Sequence, residues 1–195
     1  MRWFIFFSFA FVLYVLQFGL RSLWQLPIGP FEDASPDLLL ILGVYVAIRA
    51  PRHTVFWAML VLGMLTDLQP VRVDTQSQVL IIGPGALGFM LGGFVALQLR
   101  AVMFRERLTA VMALTFVVGV FVHLAIVALL TMRGLPVLPS DAIEAWSPAN
   151  QILQRLVSLI YTVVFAIPLG WVLMRSKQFW RFESGAGTAS GTRSN

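Results

Sequence analysis

Cysteine is absent from this chain, histidine occurs twice, and only 12% of its 195 residues are charged. The missing cysteine excludes a disulfide framework, a thiol nucleophile, Cys-ligated zinc and an iron–sulfur cluster. His53 and His123 are too few and too far apart to build a His-based metal site, and no His-Glu-x-x-His pattern occurs. Also missing are a Gly-x-Ser-x-Gly elbow, a Gly-x-x-x-x-Gly-Lys phosphate loop and a Gly-Asp pair inside an apolar run. No catalytic residues, no metal and no cofactor are therefore expected.

What the chain does have is apolar surface. Hydrophobic residues make up 58% of it, and its mean hydropathy of +0.84 lies far above that of soluble domains. The composition reads as an all-α integral membrane protein. A net charge of +5 would suit nucleic acid in a soluble protein, but in a membrane protein basic residues first set topology. No nucleic-acid partner is expected.

Six runs of helical character follow. The first covers about 3–20, broken only by Ser8, Tyr14 and Gln17, and Gln17-Phe18-Gly19-Leu20-Arg21 offers no small-x-small cleavage pattern. It is read as a retained transmembrane helix. Its aromatics Trp3, Phe4, Phe6, Phe7, Phe9, Phe11 and Tyr14 suggest a face packed on lipid or on a partner. A second run, 36–50, opens with Ser35-Pro36, read as cap and first-turn proline, and stops at Pro51. A third, 54–68, completes a helical hairpin with a tip of Arg49, Arg52 and His53. Both are short for a bilayer, which fits helices that are tilted or surrounded by protein.

A polar loop, 69–78, leads to Gly83-Pro84-Gly85 and a fourth run, 84–99, on which Gly85, Gly88, Gly92 and Ala96 form a stripe suited to close helix packing, within the chain or between copies. The fifth run, 108–132, is the longest apolar one. A loop with Ser140 or Asp141 as a cap and Trp146 near the membrane boundary precedes the sixth, 149–174, with a kink expected at Pro168. The small, polar tail 183–195 reads as disordered, which leaves one membrane domain over 1–182.

The charges orient these spans. Arg2, Arg49, Arg52, Arg100, Arg105, Arg107, Arg175, Lys177, Arg181 and Arg193 fall on the side of the termini, against Arg21, Arg72 and Arg133 opposite. The positive-inside rule then puts both termini in the cytoplasm. Asp37 and Asp67 lie at the two outer ends of the hairpin. Asp37 sits at a helix start, where the dipole favours a carboxylate; Asp67 closes its helix, where the dipole disfavours one, so it calls for a partner. Arg155, about two turns inside the sixth run, is the expected partner of Asp67 or Asp37. His123 reads as a buried hydrogen-bonding residue.

Pro36-Asp37-Leu38-Leu39-Leu40, Gly63-Met64-Leu65-Thr66-Asp67 and Gly85-Ala86-Leu87-Gly88, in this order and sidedness, resemble the pattern of the rod shape-determining protein MreD family. Two departures are a longer loop from Leu68 to Ile82 and Pro84-Gly85 in place of a Leu-Gly pair. The resemblance covers about 3–180 and implies a six-span, N-in/C-in protein of the bacterial inner membrane whose fold is similar to the substrate-binding subunits of energy-coupling-factor transporters. It implies a non-catalytic scaffold of the cell-elongation complex that binds MreC and works with MreB filaments, a glycosyltransferase and a transpeptidase in peptidoglycan synthesis. The aromatic-rich first helix and the glycine stripe of the fourth are the first surfaces to test for a partner, the stripe being read first as packing within the chain. The alternative is a small-molecule-binding subunit of a vitamin or ion transporter, its outer pocket lined by Asp37, Asp67, His123 and Arg155.

Overall fold

The computed structural model describes residues 3–19, 34–69, 71–72, 78–79, 82–100, 108–137, 148–176 and 180. The described chain forms six α-helices: α1 (Trp3–Gly19), α2 (Leu38–Arg49), α3 (Arg52–Asp67), α4 (Pro84–Leu99), α5 (Leu108–Val137) and α6 (Pro148–Arg175). The helical class expected from composition is the class observed. Within the loop after α3, β1 (Val71–Arg72) and β2 (Gln78–Val79) pair antiparallel, with Val71 opposite Val79 and Arg72 opposite Gln78. This small hairpin stands where only a polar loop was expected. The tail 183–195 and the segment with Ser140, Asp141 and Trp146 lie outside the described residues.

Consecutive helices run antiparallel. Gly43 of α2 faces Met59 and Leu62 of α3, Gly63 faces Gly85 and Ala86 of α4, Gly88 and Gly92 face Ile126, Val122 and Val118 of α5, and Gly170 of α6 returns to Leu108 and Val111. Gln17, at the end of α1, meets the start of α2. The last described residue, Trp180, packs tilted against Phe9 and edge-on to Tyr45, with ring centroids 5.1 and 5.5 Å away. The bundle therefore has one end made of the start of α1, the α2–α3 turn and the end of α6, and another made of Gln17, Asp37, Asp67 and the start of α4.

At the centre stands α2. Every residue from Leu38 to Ile48 is buried, and α2 touches each of the other five helices. Its sequence, Leu-Leu-Leu-Ile-Leu-Gly-Val-Tyr-Val-Ala-Ile-Arg, carries no polar face, as a helix enclosed on all sides requires. At 12 residues and about 1.5 Å per residue it is ~18 Å long, against about 30 Å of hydrocarbon in a bilayer. Surrounding protein, one of the two explanations open to the sequence, accounts for its shortness.

Two helices are long and apolar enough to cross a membrane, over Leu108–Met132 and Gln151–Arg175; α1, α2 and α4 are shorter and apolar. Outside the core the helices present large apolar side chains, among them Phe4, Phe11, Trp57, Phe94, Met132, Ile160 and Trp171. Pro168 lies within α6, and the helix continues past it to Arg175.

Candidate functional site

The start of α2 gathers the polar groups of the bundle. A helix begins with N–H groups that have no partner inside it, and here each of the first four has one from a side chain. Asp37 N–H donates to Oγ1 of Thr162 on α6 at 2.8 Å. Leu38 N–H and Leu39 N–H donate to Oε1 of Gln17 on α1 at 3.0 and 3.3 Å. Leu40 N–H donates to Oδ1 of Asp37 itself at 3.1 Å. Asp37 is thus the N-cap, and the helix opens at Leu38. This corrects the expectation that Ser35 caps and Pro36 opens the helix: a carboxylate three residues before a free N–H is the better cap, and Pro36 lies outside the helix. The other end of α2 is closed by Arg100, whose Nη1 donates to the carbonyls of Ala47 at 3.2 Å and Ala50 at 2.7 Å. A cation thus meets the negative end of the helix.

A second joint holds α3 to α4. Asp67 is buried at 7% exposure, and its carboxylate accepts three backbone N–H groups: Gly85 at 2.6 Å on Oδ1, with Gly83 at 2.8 Å and Ala86 at 3.0 Å on Oδ2. The partner that Asp67 requires is the start of α4, not Arg155. The helix dipole explains the exchange: the negative end of α3 and the carboxylate on it both face the positive end of α4. Gly83 turns into α4 with φ 123°, a conformation that favours glycine. A Cβ at Gly63 would lie 2.6 Å from both Ala86 Cα and Gly85 O, and one at Gly85 would lie 2.5 Å from Oδ1 of Asp67.

The glycine stripe is taken up inside the molecule. Gly85 faces Asp67, a Cβ at Gly88 would lie 2.8 Å from Ile126, Gly92 packs against Val122 and Val118 of α5, and Ala96 is fully buried. That stripe is not a free surface for a partner. On α1, by contrast, Phe4 is 84% and Phe11 67% exposed, with Phe7, Val15 and Phe18 also outward, while Phe6, Ala10, Leu13 and Gln17 face inward.

Arg155 lies within electrostatic reach of Asp37 and of His123. No direct ion pair joins Asp37 and Arg155 among the described residues, so the expected pairing is reduced to a through-space interaction. His123 is buried, as read from the sequence, but neither of its ring nitrogens has a hydrogen-bond partner, and the same holds for Nε of Arg155. Asp67, at the α3–α4 joint, takes no part in this group.

Sequence reasoning missed Gln17, Arg100 and Thr162. Gln17 had left a signal, as one of three polar interruptions in an apolar run, and amides in such runs answer backbone groups more often than lipid. Arg100 was counted only as a topology charge. Thr162 also donates to the carbonyl of Ser158 within its own helix at 2.8 Å, a bond open to any helical threonine, so nothing in the sequence marked it out. Comparison with protein-family models, curated proteins and solved structures finds no match to this chain.

Proposed function

We propose that the chain is a six-span protein of the bacterial cytoplasmic membrane with both termini inside, acting as a non-catalytic scaffold of the cell-elongation complex. In this reading it holds MreC and links MreB filaments to the glycosyltransferase and transpeptidase that build peptidoglycan. The observation that carries the reading is the use made of the residues behind the resemblance to MreD. Asp37 caps the central helix, and Gly63, Asp67 and Gly85 lock α3 to α4. Both carboxylates accept backbone N–H groups, which suits architecture more than acid–base work. The apolar exterior supports the membrane location, since such a surface would drive aggregation in water. The outward aromatic face of α1 is the surface available to a single-span partner, whose helix would bind by van der Waals packing.

Co-expression with a tagged MreC from the same cell, followed by solubilisation in mild detergent, tests this. The two chains are expected to co-purify in a fixed ratio. A purified chain that retains a vitamin tightly and leaves MreC behind would replace the scaffold by a transporter's binding subunit.

A further inference from the structure

Near the Asp37 end of the bundle, three helices bring polar side chains together just beyond an apolar layer. In that layer a Cβ at Gly119 of α5 would touch Leu159 of α6 and Leu40 of α2. One turn onward along α5 is His123; one turn back along the antiparallel α6 is Arg155; one turn back along α2 is Asp37. His123 is 8% exposed, and both of its ring nitrogens, like Nε of Arg155, are buried without a hydrogen-bond partner. A buried donor left without an acceptor is destabilising, and here one end of the bundle holds such groups on two neighbouring helices.

The chemistry of these groups narrows what completes them. A guanidinium only donates, and a neutral imidazole donates once and accepts once. Several nearby acceptors are engaged elsewhere: Oε1 of Gln17 and Oγ1 of Thr162 hold N–H groups of α2, and Oδ1 of Asp37 caps Leu40. Asp37 acts on Arg155 only through space, with no direct ion pair between them among the described residues, which leaves the guanidinium without an oxyanion in contact. Arg155 is partly exposed and is flanked on α6 by the exposed Leu153 and Leu156, so an approach from outside the bundle is open.

We propose that Arg155 and His123 form a binding site for an oxyanion, a carboxylate or phosphate group carried by a small solute or by an anionic lipid headgroup. Asp37 tunes the site, its negative charge favouring a monoanion over a dianion. The site is independent of the scaffold reading, because it needs no partner protein.

The test uses the full chain, with 15N-labelled histidine, in phosphatidylcholine nanodiscs. Acetate and inorganic phosphate are titrated separately, and a third sample replaces part of the lipid with phosphatidylglycerol. The ring resonances of His123 are expected to shift saturably while those of exposed His53 stay in place. A shift with acetate or phosphate identifies a small solute as the source; a shift with phosphatidylglycerol alone identifies the headgroup. Arg155→Gln is expected to weaken binding at least about tenfold, as loss of a charge-assisted donor does. No shift in any sample, or an undiminished one in Arg155→Gln, overturns the site. Should that variant fail to fold, His123→Gln decides through thermal stabilisation by the same anions, and stabilisation equal to that of the unsubstituted chain overturns it.

Discussion

Asp67 shows how much one side chain can hold in a bundle of this kind. Its carboxylate gathers the three N–H groups of Gly83, Gly85 and Ala86, and no other group among the described residues replaces it there. Asp67→Ala is expected to destabilise the chain by about 3 kcal/mol, the order of one lost charged hydrogen bond together with buried amides left unpaired. Asp67→Asn, which keeps one accepting oxygen, should cost less. Thermal unfolding in detergent gives the total, and faster hydrogen exchange at the Gly85 and Ala86 amides gives the place. Gly63→Ala should act on the same joint from the other side, since its Cβ would meet backbone atoms at 2.6 Å that cannot rotate away; about 1–3 kcal/mol is expected, as for overpacking elsewhere. Gly19→Ala, with nothing within 4 Å of its Cβ, is the matched control and should be neutral. The sequence disclosed the need of Asp67 for a partner, because a carboxylate at a helix C-terminus is disfavoured. It could not disclose the partner: every residue but proline has an N–H, so three converging amides leave no mark in composition, whereas Arg155 stood out as a charge.

At the scale of elements, the fold rests on a helix too short to span the hydrocarbon of a bilayer by itself. The length and apolar character of α2 were legible in Leu38 to Ile48, and so was its stop at Pro51. Its place as the hub was not, because an apolar run as short as Leu38 to Ile48 looks the same whether other helices or lipid surround it. Once it is enclosed, its ends become the difficulty. Their open N–H and C=O groups lie where water is scarce, and side chains from α1, α6 and α4 answer them. Gln17→Leu would leave the Leu38 and Leu39 amides unpaired. Since α1 leans chiefly on α2, the expected result is loosening of α1, read as faster proteolysis near Gly19 and faster exchange of those two amides, with α3 to α5 little changed. Arg100→Gln should instead loosen the last turn of α2, and Arg100→Lys should recover part of the loss, because a point charge still faces the Ala47 and Ala50 carbonyls. Opposite ends of one helix would then respond to changes on different neighbours.

At the scale of the molecule, the alternating helices give the bundle two ends, and in the proposed six-span reading charge decides which of them faces the cytoplasm. His53 and Leu68 mark the opposite ends of α3, and both are exposed. The end holding His53 also carries Arg49, Arg52, Arg100 and Arg175, whereas the end holding Leu68 has Asp37 and Asp67. Cytoplasmic loops collect Lys and Arg because these residues resist translocation, so the His53 end is expected inside and the Leu68 end outside. The absence of cysteine makes this directly measurable, because each introduced thiol is the only one in the chain. A membrane-impermeant maleimide added to intact spheroplasts should label Leu68→Cys and spare His53→Cys, and permeabilisation should then expose the second. Labelling in the reverse order would invert the orientation and put the Arg155–His123 group at the cytoplasmic end. Equal labelling of both before permeabilisation would mean that α3 does not separate two compartments, and the six-span reading would fall with it. The first pattern is the expected one because the arginines of the α2–α3 turn and the carboxylates at the opposite end were placed by the sequence independently of the helix packing, and the packing delivers each group to a single end.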